Sequence, residues 1–240
     1  MNHTVLITGT TRGIGLEFAK QYAEAGWEVL ACARRVEAPG LQALKNKYSN
    51  LSILELDVCD QQQIEKLSTR LQGKPIDLLI NSAGIFGIKE EGREENQTFE
   101  TVDGKAMQTV FMTNTVAPLM IARALINNLV KSQLKTVVTI TSRVGSIQDN
   151  TSGGMYAYRA SKVAVNMVMK SFAVDLQSEK IKVILLHPGW VKTDMGGPDA
   201  LVDVETSVTG MRQVIDQKIN GSTINTQNLF FNYENNELPW

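Results

Sequence analysis

Residues Thr4–Gly15 read TVLITGTTRGIG, and their order decides the architecture. Thr4–Ile7 is a short, nearly continuously apolar run, as expected of a strand covered on both faces. Thr8–Gly15 (TGTTRGIG) then places glycines at 9, 13 and 15, where the strand gives way to a helix. Gly9 permits a tight turn, Gly13 lets backbone approach a pyrophosphate, and Gly15 lets the helix pack against the strand. The helix that follows presents free N–H groups and a positive dipole end to phosphate. The spacing is G-x-x-x-G-x-G, not G-x-G-x-x-G, and a glycine triplet alone reads equally as a turn. The strand-turn-helix setting favours a dinucleotide. The predicted contacts in the loop are Gly9, Thr11, Arg12, Gly13, Ile14 and Gly15.

The same alternation continues outward. Glu28–Cys32, Ser52–Leu56, Asp77–Ile80, Thr136–Ile140, Lys182–Leu186 and Leu229–Tyr233 read as further strands. Between them, about Gly13–Ala25, Gly40–Tyr48, Gln61–Leu71, Thr101–Lys131, Met155–Gln177 and Val204–Ile219 read as helices. Strand–helix alternation predicts an α/β fold: a doubly wound, seven-stranded parallel sheet with helices on both faces. No repeat, low-complexity tract or linker interrupts the 240 residues, so the expectation is one domain spanning 1–240. Phe86–Thr98, rich in charge and amide, is the clearest loop.

Composition narrows the function. Hydrophobic residues make up 43%, ample for a core of this size. A net charge of -1 with no dense Lys/Arg run argues against a nucleic-acid partner. No apolar run approaches the roughly 20 residues that a membrane span needs. The N-terminus lacks a signal-peptide pattern, which points to the cytoplasm. Cys32 and Cys59 read as buried small hydrophobes in a reducing compartment. His3 and His187 have no spaced partners, so no metal site is expected.

The end of the second strand selects the nicotinamide cofactor. An acidic residue there would bind the 2′-hydroxyl of NAD, whereas arginine accommodates a 2′-phosphate. The chain has Ala33, Arg34 and Arg35 and no acid, with Arg12 adding a guanidinium from the glycine loop on the same side. Arginine's planar fork of donors suits phosphate. NADPH/NADP+ is therefore the predicted cofactor. Arg35 reads equally as a solvated loop charge.

Further on, MYAYRASK at Met155–Lys162 sets Tyr158 and Lys162 four positions apart, on one face of a helix. An ammonium beside a phenol favours the phenolate and lowers the phenol's pKa. A phenol tuned that way passes protons near neutral pH. In isolation Y-x-x-x-K is more often a surface pair; the glycine loop upstream supplies the context.

With those motifs on the page, the chain resembles a short-chain dehydrogenase/reductase from about Thr4 to its C-terminus. TGTTRGIG at Thr8–Gly15, NSAG at Asn81–Gly84, TSRVG at Thr141–Gly145, YRASK at Tyr158–Lys162 and HPGWVKTDM at His187–Met195 stand in the family's order. GSIQDNTSGGMYAYRASK at Gly145–Lys162 and the ending ELPW at Glu237–Trp240 look closest to sniffer-like carbonyl reductases and the bacterial C-factor group. The resemblance implies a Rossmann fold, with Tyr158 as general acid and Lys162 lowering its pKa and binding the nicotinamide ribose. It implies Ser142 as donor to the carbonyl oxygen, in preference to Thr141 or Ser146. Asn114 would help hold a water that links Lys162 to solvent. Sixteen positions separate Ser142 from Tyr158, slightly more than is usual in the family; Gln148–Gly154 could absorb the excess as a bulge.

Remaining contacts follow the same resemblance. Asp57 and Val58 would flank the adenine, although Asp57 could equally cap the next helix, with Asp60 the likelier cap. Asn81, Ala83 and Gly84 would line the riboses. Pro188, Gly189, Val191 and Thr193 would lie along the nicotinamide. Candidate walls of the substrate pocket are Ile85, Phe86, Val144, Tyr156, Trp190 and Met195, with Gly196–Asp203 as a lid. These imply a small-molecule carbonyl partner with apolar bulk. Surplus apolar residues on the long helices, Val163, Val165, Met167 and Met169 among them, imply a homo-oligomer, dimer or tetramer. Oxidation of an alcohol or hydroxysteroid, and a C-factor-like signalling role, are the alternative readings.

Overall fold

In the computed structural model, which describes residues 3–88, 97–221 and 226–240, β1 (Thr4–Thr8) is buried along its whole length. Its side chains alternate between two cores, as strand geometry requires. Val5 and Ile7 join one apolar cluster, and Leu6 joins the other. A run apolar on both faces can only sit inside a sheet covered twice. β1 accordingly pairs in parallel with β2 (Glu28–Ala33) on one side and β4 (Leu78–Asn81) on the other. β3 (Leu51–Glu55), β5 (Thr136–Ile140), β6 (Lys182–His187) and β7 (Phe230–Asn232) complete a seven-stranded parallel sheet of order β3-β2-β1-β4-β5-β6-β7.

Helices α1 (Gly13–Glu24), α2 (Pro39–Lys47) and α8 (Val204–Asn220) supply Phe18, Tyr22, Leu41, Met211 and Ile215 to one core. On the opposite face α3 (Gln61–Arg70), α5 (Ala117–Ala124), α6 (Ile126–Val130) and α7 (Tyr156–Asp175) supply Ile64, Leu67, Ile121, Leu129, Val165 and Met169. The doubly wound α/β sheet expected from the sequence is thus the observed one. The chain runs outward from β1 to β3, returns to the centre at β4 and runs out again to β7. Such a reversal opens a crevice at the carboxyl ends of the central strands, where open α/β sheets bind ligands.

Several local expectations change. Thr101–Lys131 is not one helix. It divides into α4 (Gly104–Phe111), a π turn at Met112–Val116, α5 and α6. Pro118 has no N–H for the carbonyl of Asn114, so a straight α-helix would lose that bond. A wider turn relieves the mismatch and carries Asn114 inward. Asp103, whose carboxylate accepts from the Ala106 N–H at 2.9 Å, sets the start of α4. Cys59 is exposed, not buried. It stands beyond the end of β3, where Asp57 Oδ1 accepts the Cys59 N–H at 2.9 Å and turns the chain toward solvent. On α7, Val165 and Met169 are core, whereas Met167 is exposed. Part of the predicted loop Phe86–Thr98, residues 89–96, lies outside the described residues.

Candidate active site

The glycine loop is clamped to the strands on both sides of β1. Thr8 Oγ1 accepts the N–H groups of Ser82 and Ala83, each at 3.1 Å, just past β4. Thr10 donates its hydroxyl and its N–H to the Cys32 carbonyl of β2, at 3.1 and 3.2 Å. Gly9 has φ +74°, and a Cβ there would lie 2.8 Å from Ala83 Cα. A Cβ on Gly15 would lie 2.4 Å from the Gly9 oxygen, so helix and loop meet only without side chains. Aspartates cap α3, α4 and α8: Asp60, Asp103 and Asp203. By contrast α1, which starts after Arg12, has no capping side chain and no acidic residue in its first turn. Its leading N–H groups and dipole are left to an external anion, which fits a dinucleotide pyrophosphate. Thr11, Gly13 and Ile14 sit part-exposed on this rim.

At the β2–β3 end, Arg34 reaches Asp57 at 4.0 Å, both at the surface. Asp60, not Asp57, caps α3, accepting from the Gln62 and Gln63 N–H groups. Val58 is buried beside Asp57. The Arg12 guanidinium lies 2.8 Å from Asp194, in the segment after β6, with both side chains exposed. Asn81 turns into the sheet, donating to the Pro118 carbonyl at 3.3 Å and the Thr139 hydroxyl at 3.5 Å. Ala83 lies against Gly9, while a Cβ on Gly84 would sit 3.3 Å from Asn114 Oδ1 and 3.8 Å from Lys162 Nζ.

Ser142, Tyr158, Lys162 and Asn114 converge from three elements. Ser142 follows β5 and caps the short 3₁₀ turn Arg143–Gly145, accepting from the Val144 N–H at 3.3 Å. The Ser142 hydroxyl is also the group that lowers the Tyr158 phenol's pKa. Its two rivals are committed elsewhere: Thr141 donates to Asn166 Oδ1 at 2.7 Å, and Ser146 to the Trp240 carbonyl at 3.0 Å. Tyr156 is half-exposed. Lys162 Nζ donates to the Ile140 carbonyl at 2.9 Å and lies 5.6 Å from the centre of the Tyr158 ring. Asn114 spans the Ile85 backbone, accepting its N–H at 2.9 Å and donating to its carbonyl at 2.8 Å. It also donates to Ser161 Oγ at 3.0 Å, and Ser161 in turn donates to the Tyr158 carbonyl at 2.8 Å.

The electrostatics correct one expectation. Burial pushes the Tyr158 hydroxyl up to about 12, with the Ser142 hydrogen bond pulling the other way. Burial pushes Lys162 down to about 8. The phenol thus stands above its ordinary value, because desolvation of a phenolate dominates there. Both groups lose water where α7 packs on the 3₁₀ turn after β5 and on the π turn.

Beyond β6, the Pro188 carbonyl accepts from Ser207 Oγ at 2.6 Å and Gly189 adopts φ +86°. Thr193 Oγ1 donates to the Val191 carbonyl at 3.3 Å and accepts the Gly196 N–H at 3.1 Å. A Cβ on Gly13 would lie 3.4 Å from Thr193 Cγ2, so this segment reaches the glycine loop. Trp190 Nε1 donates to the Gly196 carbonyl at 2.8 Å, and Met195 is exposed. Three contributors escaped the sequence reading: Thr8, Ser161 and Gly145. A Cβ on Gly145 would lie 2.8 Å from Lys162 Cβ. The polar residues stand inside or beside recognised motifs, but nothing in their spacing reveals a clamp.

This arrangement has close relatives. The C-signal protein of Myxococcus xanthus is 42% identical over 166 residues, covering 69% of this chain and 93% of that protein. Carbonyl reductase Sniffer of D. melanogaster superposes with TM-score 0.88 at 35% identity, covering 100% of both chains. An NADPH-bound carbonyl reductase from chicken fatty liver gives 0.86 and 34%, covering 100% of this chain and 99% of that one. Both bear out the resemblance to carbonyl reductases. The family model for short chain dehydrogenase matches residues 3–200. With the glycine loop, the serine, and the tyrosine–lysine pair assembled at one crevice, the chain belongs to the short-chain dehydrogenase family of oxidoreductases.

Proposed function

We propose that the protein reduces an aldehyde or ketone to the alcohol with NADPH as reductant. One observation carries the reading: the part-buried Tyr158 ring has the buried Lys162 amine 5.6 Å from its centre, with Ser142 acting on its phenol from the end of β5. Gly9, Thr11, Gly13, Ile14 and Gly15 would hold the pyrophosphate, and Arg34 the 2′-phosphate. Asp57 and Val58 would flank the adenine, with Ala83, Gly84 and Lys162 at the riboses and Pro188, Gly189, Val191 and Thr193 along the nicotinamide. When bound, the cofactor supplies the hydride that the carbonyl carbon accepts.

The chain's own work concerns the oxygen. Ser142 donates to it and sets it beside Tyr158. Tyr158, protonated at neutral pH because its value is about 12, gives up its proton as negative charge builds on the oxygen. Lys162, with a value of about 8, remains ammonium at pH 7 and favours the departing proton's phenolate. Asn114 fixes the π turn and the Ile85 backbone around this centre, beside the Lys162 amine.

NADPH absorbance followed with aromatic aldehydes, diketones and quinones tests the reading. Wild type is expected to turn over, and Tyr158→Phe to lose at least about 10²-fold in kcat. Undiminished turnover by Tyr158→Phe would refute it. Arg34→Asp is expected to move the ratio of catalytic efficiencies from NADPH toward NADH by about tenfold or more, the worth of one charged hydrogen bond. A ratio that stays put refutes the cofactor assignment. The same groups run backwards would oxidise an alcohol, which Arg34 disfavours. Tight NADPH binding without turnover across the panel would favour a signalling role, the second reading, motivated by the similarity to the C-signal protein. The free thiols Cys32 and Cys59 favour a reducing, cytoplasmic setting. Exposed Met112, Val116 and Met167 favour self-association, which light scattering measures.

A further inference from the structure

Helix α7 begins without a cap of its own. Met155, just before its first turn, sits in the left-handed region at φ 49° and offers no side-chain acceptor. The acceptor comes from far along the chain: Gln97 Oε1 takes the Tyr158 N–H at 2.7 Å. Gln97 Nε2 donates to the Phe86 carbonyl, and the Gln97 carbonyl accepts the Tyr156 N–H at 3.4 Å. The Phe86 ring in turn lies 5.1 Å from the Tyr158 ring, tilted by 42°. Phe86 follows Ile85, whose backbone Asn114 holds at both N–H and carbonyl.

A glutamine amide has one acceptor end and one donor end. Here the oxygen meets the positive end of the α7 dipole and the nitrogen meets a carbonyl, so only one orientation satisfies both partners. First-turn N–H groups otherwise have no intrahelical acceptor, and helix ends fray there. Tyr158 stands in that first turn, while Ser142 stands on a different element. A misplacement of about 1 Å between such groups can cost about 10²-fold in rate.

We propose that Gln97 is a positioning residue. Its side-chain amide fixes Tyr158 against Ser142 and in the same contact seats the segment after β4 on the catalytic helix. The inference rests on the reading of Tyr158 as proton donor.

Amide hydrogen exchange and steady-state kinetics on the full chain test it, with Gln97→Ala, Gln97→Glu and Tyr158→Phe. Gln97→Ala is expected to speed exchange at the Tyr158 amide by about tenfold, the worth of one hydrogen bond. It is expected to lower kcat by about tenfold or more, with the cofactor KM unchanged, and to move the alkaline limb of the kcat profile. Gln97→Glu keeps an oxygen acceptor at the helix terminus but sets a carboxylate against the Phe86 carbonyl, so it should restore the slow exchange at Tyr158 and only part of kcat. Wild-type kcat and an unmoved pH profile in Gln97→Ala would overturn the proposal, as would equal losses in the alanine and glutamate variants. Should Gln97→Ala fail to fold, Gln97→Glu decides alone: fast Tyr158 exchange with full kcat would overturn it. Undiminished turnover by Tyr158→Phe would remove the catalytic reading instead, while the exchange rates still report whether Gln97 holds the Tyr158 backbone.

Discussion

At the scale of single residues, desolvation governs the site. The sequence places a lysine four positions after a tyrosine, which suggests an acidified phenol. The fold buries both, and the phenol rises to about 12 while the amine falls to about 8. The group that does lower Tyr158 is Ser142. Ser142→Ala is therefore expected to shift the alkaline limb of kcat upward and to reduce kcat by about 10²-fold, as when an oxyanion donor is removed. An unshifted limb would show that the hydrogen bond does not tune the phenol. Three neighbouring hydroxyls in TSRVGS cannot be ranked by spacing alone; only the partners of Thr141 and Ser146 exclude them. Arg12 illustrates the same limit, since its pairing with Asp194 joins residues far apart in the chain.

At the scale of elements, periodicity identified the strands and most helices because burial on one face or two leaves a clear rhythm. It failed at Thr101–Lys131, where the apolar rhythm continues through a change of helix type. Pro118 was the legible sign of a break; the inward turn of Asn114 was not. The Gln97 cap on α7 was equally hidden, because no local signal links it to Tyr158. The 3₁₀ turn after β5 packs so tightly on α7 that a Cβ on Gly145 would lie 2.8 Å from Lys162 Cβ and 2.9 Å from the Lys162 carbonyl carbon. Gly145→Ala must separate the two elements and is expected to cost about 1–3 kcal/mol, as overpacking does. Thermal melting measures the loss, and kcat should fall with it because Ser142 and Lys162 ride on the separating elements. Unchanged melting would contradict the close packing.

For the whole molecule, pH dependence reports on buried groups. His187, at the end of β6, is held down to about 4 by burial and then by the Arg143 charge, and its Nδ1 is buried without a hydrogen-bond partner. The unfolded chain therefore binds this proton first, from about pH 6.5 downward. Stability attributable to the neutral ring is present above pH 6.5 and is lost as pH falls toward 4, by roughly 3 kcal/mol. His187→Gln should flatten that decline in urea unfolding curves; an unaltered slope would rule the histidine out as its source. The order of the sheet has a different consequence. Because the chain crosses its midline once, Arg34 and Asp57 belong to one wing, and Ser142, Tyr158 and Lys162 to the other. On the proposed reading, the choice of electron carrier and the handling of the acceptor are thus written in separate halves of the sequence, and an engineer can revise Arg34 while leaving Ser142, Tyr158 and Lys162 intact.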